Sequence, residues 1–188
     1  MVTGRLELEI IDLFERDISQ VFSINEIAKT LGKSYPSVNL KVSSLIDEEV
    51  ITKNQVGRSY LCHVNLKNQK TIALLSLIQS SKLHESKLKT LEPEVQKLLE
   101  VFDIYTVFHC KERLYFVLGH IYDQEAIKKY SRRIAKEKTV FYTKEEFCRA
   151  VLAEQAILTE KTILYSASKY YEFVDRIVSE IRRRRLRL

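Results

Sequence analysis

The chain has 188 residues, of which 45% are hydrophobic and 30% charged, a composition typical of a globular protein with one large or two small domains. Its three cysteines, Cys62, Cys110 and Cys148, form no CxxC pair, which predicts free thiols and neither a disulfide framework nor a metal site. No signal-peptide pattern is present and the apolar runs are too short to span a bilayer, so we expect a cytoplasmic protein without a membrane partner.

The net charge of +6 is unevenly distributed. Residues 1–68 contain 8 Lys and Arg against 9 Asp and Glu, whereas residues 69–188 contain 23 against 16. Phosphate binding by the first segment would therefore depend on a local cluster of cations and not on its total charge.

The first predicted element is a helix over Arg5–Asp17, with a broad apolar side that makes it the first helix of a three-helix core. Ile18–Phe22 follows as a short predicted strand. These elements carry no residues that indicate chemistry.

The next stretch predicts two helices joined by a tight turn. Ser23 and Glu26 have the spacing of a capping box for a helix over Ile24–Leu31. Gly32 then stands where a helix end needs the left-handed conformation, and Pro36 stands where a second helix begins. The second helix has an apolar face and an opposite polar face; the apolar face comprises Val38, Val42, Leu45 and Ile46, and the polar face Ser37, Lys41 and Ser44.

A β-hairpin is predicted directly after these helices. Val50–Lys53 and Arg58–Val64 are its strands, and Asn54–Gly57 has the composition of a turn. Together the helices and hairpin resemble the winged helix-turn-helix of archaeal and bacterial transcription regulators, through IAKTLGKS, SVNLKVSSLIDEEVI and GRSYLCHV. Many members of that family have glycine where this chain has Glu49, so the sequence does not determine the residue at which the second helix ends.

The resemblance implies sequence-specific binding of double-stranded DNA by a transcriptional regulator, with the second helix in the major groove and the hairpin on the adjacent backbone or minor groove. Tyr60 alternatively packs beneath the hairpin, and Asn39 and Leu40 exchange exposure if the helix register shifts by one. The predicted DNA-binding residues are Lys33, Ser34, Tyr35, Ser37, Asn39, Lys41, Lys53, Arg58 and Tyr60.

Asn68–Lys89 has the apolar spacing of a long connecting helix. Its heptad-like pattern is compatible with pairing in a homodimer, and packing against the C-terminal half of the same chain is the alternative. Pro93 interrupts the pattern and Glu94–Phe102 predicts another short helix. The predicted organisation is thus a DNA-binding domain over residues 1–67, a connecting helix over 68–92 and a third segment over 93–188.

The third segment alternates between strand and helix signals, which predicts a small α/β domain and an α+β protein overall. The predicted strands are Ile104–His109, Leu114–Leu118, Thr139–Tyr142 and Ile163–Tyr165, and the predicted helices include Gln124–Lys136 and Thr143–Leu152.

This half resembles nucleotidyltransferase-like domains, through EVQKLLEVFDIYTVFHCKERLYFVLG and TVFYTKEEFCRAV...ILTEKTILYSASKYYEFV. Active members have Gly-Ser after the first strand and two aspartates on the second that hold Mg²⁺. Here the first strand ends in FHC, Glu112 stands for one aspartate, and Leu114 replaces the other. The comparison implies a non-catalytic domain without cofactor, acting as a scaffold, a sensor of a nucleotide or other small molecule, or a dimerisation unit.

Two basic segments, Lys128–Lys138 and Arg182–Leu188, are either solvated faces or further phosphate-binding surfaces. The functional prediction is a homodimeric DNA-binding regulator that is not an enzyme. The alternatives are a module that binds protein or RNA through the winged helix and the basic C-terminal surface, and a nucleotidyltransferase-like enzyme or nucleotide sensor.

Overall fold

The computed structural model describes residues 4–85, 92–120, 129 and 138–186. Within these ranges the chain has an α+β fold with eight helices and two sheets, one of two strands and one of four. It divides into two compact units: the first is Met1–Ile78 with Val174–Leu188, and the second is Gln79–Phe173. No described helix is long and apolar enough to cross a membrane.

The first unit contains three helices followed by a hairpin. The helices are α1 (Arg5–Arg16), α2 (Ile24–Leu31) and α3 (Tyr35–Asp47), and the strands are β1 (Ile51–Val56) and β2 (Ser59–Val64). The prediction of α1 is therefore confirmed to within one residue at its end. Three apolar residues of α1 are fully buried and form the centre of the unit with residues of the other two helices: Ile10, Ile11 and Phe14, with Ile27, Val38 and Val42.

The short strand predicted over Ile18–Phe22 is wrong except at its last residue. Phe22 forms an isolated bridge with Cys62, in which each backbone N–H donates to the other's carbonyl at 3.0 and 2.7 Å. The Ile18 side chain is fully buried and Phe22 packs edge-on against Phe14. The segment is thus held by side-chain burial more than by a β ladder.

The predicted capping box of α2 is confirmed. The Glu26 N–H donates to the Ser23 hydroxyl at 3.2 Å, and the Ser23 N–H donates to the Glu26 carboxylate at 2.7 Å. The Ser23 hydroxyl also donates to this carboxylate, at 2.8 Å, and the two hydrogen bonds from Ser23 to the carboxylate lower the pKa of Glu26. Gly32 ends the helix with a φ of 62°, and Pro36 lies in the first turn of α3, both as predicted.

Helix α3 ends in the left-handed conformation at Glu49, where φ is 57°. The N–H of Glu49 donates to the Ile46 carbonyl at 2.9 Å, and the N–H of Val50 donates to the Leu45 carbonyl at 2.9 Å. This pair of bonds defines a Schellman motif, whose left-handed position favours glycine. The glycine position expected from the family resemblance therefore exists in this backbone, although a glutamate occupies it.

The hairpin is longer and its turn tighter than predicted. Asn54 to Val56 belong to β1 and pair with Leu61 to Ser59, so the predicted turn at Asn54–Gly57 is wrong. Only Gly57 and Arg58 connect the strands, and Gly57 has a φ of 60°. A two-residue turn requires such positive φ angles in order to match the twist of the strands.

The predicted connecting helix is α4 (Gln69–Glu85), which begins one residue after Asn68; residues 86–89 of the prediction lie outside the described ranges. Thr71 and Ile72 are buried in the first unit, where the Thr71 hydroxyl donates to the Val50 carbonyl at 3.1 Å. The beginning of α4 therefore packs within its own chain. Pairing of this helix with a second copy stays a prediction, as do the domain limits at residues 67 and 92.

The second unit is built on a four-stranded sheet, and its four predicted strands are confirmed. The remaining elements are α5 (Glu92–Leu99), β3 (Ile104–Cys110), β4 (Arg113–Leu118), β5 (Lys138–Tyr142), α6 (Lys144–Ala153), α7 (Ala156–Thr159), β6 (Thr162–Tyr165) and α8 (Ala167–Leu186). The sheet has the order β5-β4-β3-β6, in which only β4 and β5 are parallel. The predicted helix Gln124–Lys136 lies outside the described residues, apart from Lys129.

Each face of this sheet is buried by different helices. Phe116 and Leu114 pack with Val95 and Leu98 of α5 on one face. Aromatic rings from α6 and α8 cover the other face, where Phe147 and Tyr170 lie 5.5 Å from the Phe108 ring centroid. From Val174 onward, α8 belongs to the first unit.

Candidate nucleic-acid interface

The solvent-facing side of α3 is formed by small side chains around one leucine. Ser37 and Ser43 are exposed on this side, and between them Leu40 retains 76% of its possible surface. The sequence left open which of Asn39 and Leu40 faces solvent, because this depends on the helix register. Asn39 is half-buried, so Leu40 is the residue that faces outward. The opposite side is buried in the core as predicted, apart from the partial exposure of Ile46.

A groove of about 410 Å³ lies between α3, the start of α2 and the hairpin. It brings together four of the nine predicted DNA-binding residues, Tyr35 and Asn39 from α3 with Lys53 and Tyr60 from the hairpin. Its other lining residues are Ser23, Ile24, Asn25 and Ser59.

The hairpin presents two exposed cations beside this groove. The Lys53 ammonium lies 4.1 Å from the Tyr60 ring centroid, across the two strands, in a cation–π contact. Tyr60 is 49% exposed and does not pack beneath the hairpin. Arg58 is exposed in the turn at the hairpin tip. The hairpin thus offers positive charge and an aromatic face on the side of the groove.

The remaining predicted residues differ in how much charge or hydrogen-bonding capacity they present. Lys33 is half-exposed, and its ammonium lies 3.2 Å from the Glu9 carboxylate, whose pKa it lowers. Lys41 is half-buried on α3. Ser34 and Ser37 are exposed, and the Ser34 hydroxyl does not cap α3. The pairing with Glu9 reduces the contribution of Lys33 to the local positive field.

Acidic residues lie at the far end of α3. Asp47, Glu48 and Glu49 are exposed there, and Lys70 forms ion pairs with both Glu48 and Glu7. The hydrogen bond from Lys70 lowers the pKa of Glu48 and keeps it ionised. A polyanion is therefore repelled from the C-terminal end of α3 and favoured at its N-terminal half, which also carries the positive end of the helix dipole.

The basic C-terminal tail is partly structural, which the sequence did not reveal. Arg182 is only 4% exposed and donates hydrogen bonds to the carbonyls of Ile18, at 2.5 Å, and Val64, at 3.0 Å. Interpreting Arg182 as a phosphate-binding residue is therefore wrong. Arg184 pairs with Glu180 at 3.1 Å on the exposed side of the same helix. The side chains beyond Arg184, and most of the basic segment Lys128–Lys138, lie outside the described residues.

The Arg182 guanidinium also lies against a histidine on the hairpin, His63. The guanidinium lies 3.0 Å from Nδ1 of His63, while the Asn54 side-chain amide lies 2.9 Å from Nε2. Burial and then the positive charge of Arg182 lower the pKa of His63 to about 4. Nδ1 also lies 3.1 Å from the Val64 carbonyl, and the Asn54 atom next to Nε2 is the amide nitrogen, so Nε2 can accept from that NH2 group and Nδ1 can donate to the carbonyl.

A second cleft, of about 560 Å³, lies beside the C-terminal part of α8. Cations and carboxylates alternate along this cleft, so its net positive electrostatic field is weaker than that of the hairpin. It is lined by Lys67, Asp175, Arg176, Ser179, Glu180 and Arg183.

In the second unit, the two positions compared with catalytic aspartates are in different environments. Glu112 lies in the turn between β3 and β4 with a φ of 59°, and Leu114 is fully buried in the sheet. Among the described residues, no three His, Cys, Asp or Glu side chains converge on a possible metal position. Cys62 and Cys110 are buried, and burial raises the pKa of both thiols.

Sequence reasoning did not include Leu40 among the site residues, although its position between Ser37 and Ser43 on the polar face was a usable signal. No sequence pattern indicated the buried position of Arg182, since nothing in the sequence distinguishes it from the arginines that follow. In comparisons of the chain with family models, curated proteins and solved structures, no match was found.

Proposed function

We propose that the first unit is a winged helix-turn-helix domain that binds double-stranded DNA sequence-specifically, and that the protein is a transcriptional regulator. In this proposal α2 and α3 form the helix-turn-helix, α3 lies in the major groove, and the β1–β2 hairpin is the wing. The groove that joins Tyr35 and Asn39 to Lys53 and Tyr60 is the observation that carries the proposal.

The shape of α3 supports close approach to base edges. Ser37 and Ser43 are small and exposed, so the helix axis is not held away from the floor of the groove by long side chains. Asn39 has the amide that pairs with adenine N6 and N7 in direct readout. The acidic end of α3 at Asp47 and Glu49 would then point away from the duplex.

The charges of the hairpin support a wing on the phosphate backbone or in the minor groove. Lys53 and Arg58 are exposed on the same hairpin, and each phosphate contact contributes to affinity independently of sequence. Lys41 at the edge of α3 would add a flanking phosphate contact. Ser34 and Lys33 lie at the entry to α3, where helix N-termini contact phosphates.

The proposal is tested by selecting duplexes from a random pool with the full-length protein and then measuring fluorescence anisotropy on the enriched and scrambled sequences across a salt series. We expect a preference of at least about a hundredfold for the enriched sequence. Arg58→Ala and Lys53→Ala should each weaken binding and reduce the slope of log K against log salt by about one. Lys97→Ala, at an exposed position of α5, is the matched control and should change neither quantity.

A protein partner is the second candidate for this surface, because it contains an unusual share of exposed apolar groups. Tyr35, Leu40 and Tyr60 are three of the six large hydrophobic residues that are exposed in the described part of the chain. Exposed apolar clusters of this kind mark protein interfaces as well. A failure to enrich any duplex, with Lys53→Ala and Arg58→Ala indistinguishable from wild type, would favour this candidate.

For the second unit we propose a nucleotidyltransferase-like domain without catalytic activity, which serves as a scaffold, nucleotide sensor or dimerisation unit of a cytoplasmic homodimer. Replacement of a metal-binding carboxylate by the buried Leu114 supports this, since a leucine offers no oxygen ligand. Isothermal titration with nucleoside triphosphates and Mg²⁺ tests it. Mg²⁺-dependent binding that is lost in Glu112→Ala would contradict the absence of a catalytic site.

A further inference from the structure

Leu40 is the most exposed large hydrophobic residue in the described part of the chain, and its surroundings indicate a role in recognition. The adjacent residues on the helix surface, three or four positions away, are Pro36, Ser37, Ser43 and Ser44, all of them short. Leu40 is therefore the side chain that extends furthest from the centre of this face. Isolated exposed leucines are common on proteins, but this one directly follows Asn39, which lines the groove together with the exposed Tyr35 and Tyr60.

We infer that Leu40 is a specificity-determining residue that reads thymine by packing against its C5 methyl group in the major groove. The inference rests on the proposed DNA-binding function. Thymine is the base that presents a methyl group there, and an aliphatic side chain distinguishes it from cytosine without any hydrogen bond. No arginine lies in α3, so this helix does not offer the bidentate arginine contact to guanine.

The charges around Leu40 favour DNA over an apolar protein partner as its ligand. Lys53 lines the groove together with Asn39, the neighbour of Leu40 in α3, and Arg58 is exposed at the tip of the same hairpin. A DNA duplex has the complementary arrangement, with phosphates beside the methyl groups of its major groove. Asn39, which lines the groove next to Leu40, adds a preference for adenine, and together they favour A·T pairs at adjacent positions.

Replacing thymine by deoxyuridine tests the inference, because this removes the methyl group and leaves every hydrogen-bonding atom in place. Each thymine of the enriched duplex is replaced in turn, and its affinity for wild-type protein is measured by anisotropy. We expect a loss of about fourfold at one or two positions, as for one buried methyl group. Leu40→Ala should bind the thymine and deoxyuridine duplexes equally at those positions.

Leu77→Ala is the matched control, since Leu77 is 51% exposed on α4. It should keep the fourfold preference for thymine. Both variants remove exposed side chains and should retain the wild-type circular dichroism spectrum. Two outcomes would overturn the role of Leu40 but leave DNA binding intact. In the first, the protein binds the enriched duplex selectively and no deoxyuridine replacement changes its affinity. In the second, Leu40→Ala keeps the preference for thymine. Failure to enrich any duplex would overturn the proposed function itself, and a protein partner would then account for the exposed leucine.

Discussion

The guanidinium of Arg182 lies 3.0 Å from Nδ1 of His63, so the C-terminal helix and the hairpin meet at a buried cation and a neutral imidazole. Arg182 also donates to the backbone carbonyls of Ile18 and Val64. One side chain thus connects the end of α8, the segment after α1 and the end of β2. Its position explains why Val174–Leu188 belongs to the first unit.

Arg182→Met should destabilise the first unit by about 2–4 kcal/mol, because it leaves buried carbonyl groups without their donor. The free energy of unfolding from urea denaturation checks this. Arg183→Met is the control, since Arg183 is exposed on the same helix turn, and its effect should stay within about 0.5 kcal/mol. Equal effects of the two substitutions would contradict a structural role specific to Arg182.

The stability of the protein should decrease when the pH falls from about 6.5 towards 4. The pKa of His63 is lowered to about 4 in the fold, so the unfolded chain binds a proton in this interval and the folded chain does not. Its stabilising contribution is complete above pH 6.5 and is lost as the pH decreases. Urea denaturation at pH 7 and pH 5 should show a smaller pH-dependent difference in His63→Gln than in wild type. An unchanged difference would contradict the lowered pKa.

Glu49→Gly should stabilise the protein by about 0.5–1 kcal/mol. Glu49 has a φ of 57°, a conformation that glycine adopts without steric cost, and its side chain is exposed. Glu49→Ala separates the backbone effect from the loss of charge, because alanine retains the β-carbon and should not stabilise. A thermal-unfolding midpoint that rises only in the glycine variant is the expected result; a rise in both would attribute the effect to charge.

Glu9→Gln should strengthen DNA binding if the first unit binds DNA as proposed. The Glu9 carboxylate lies 3.2 Å from the Lys33 ammonium, and its loss releases that cation for a phosphate contact. We expect a two- to fivefold gain in affinity at low salt, since one surface ion pair contributes about 1 kcal/mol or less. The gain should disappear in Glu9→Gln combined with Lys33→Ala. A gain that persists in the double variant would indicate a general effect of net charge.

The sequence by itself determined the local elements of this protein. Ser23 and Glu26 capped α2, Gly32 ended it, and the alternating segments from Ile104 to Tyr165 gave the strands, because caps, glycines and hydrophobic periods act over a few residues. The α+β class follows from those elements. The polar face of α3 was also readable, since helical spacing fixes which side chains share a side.

Tertiary structure alone decided which residues lie next to each other. The pairing of Lys33 with Glu9, the burial of Arg182 and the outward position of Leu40 all depend on contacts between segments distant in sequence or on the exact helix register. Local propensity carries no record of such contacts, because their energy exists only after the chain has packed.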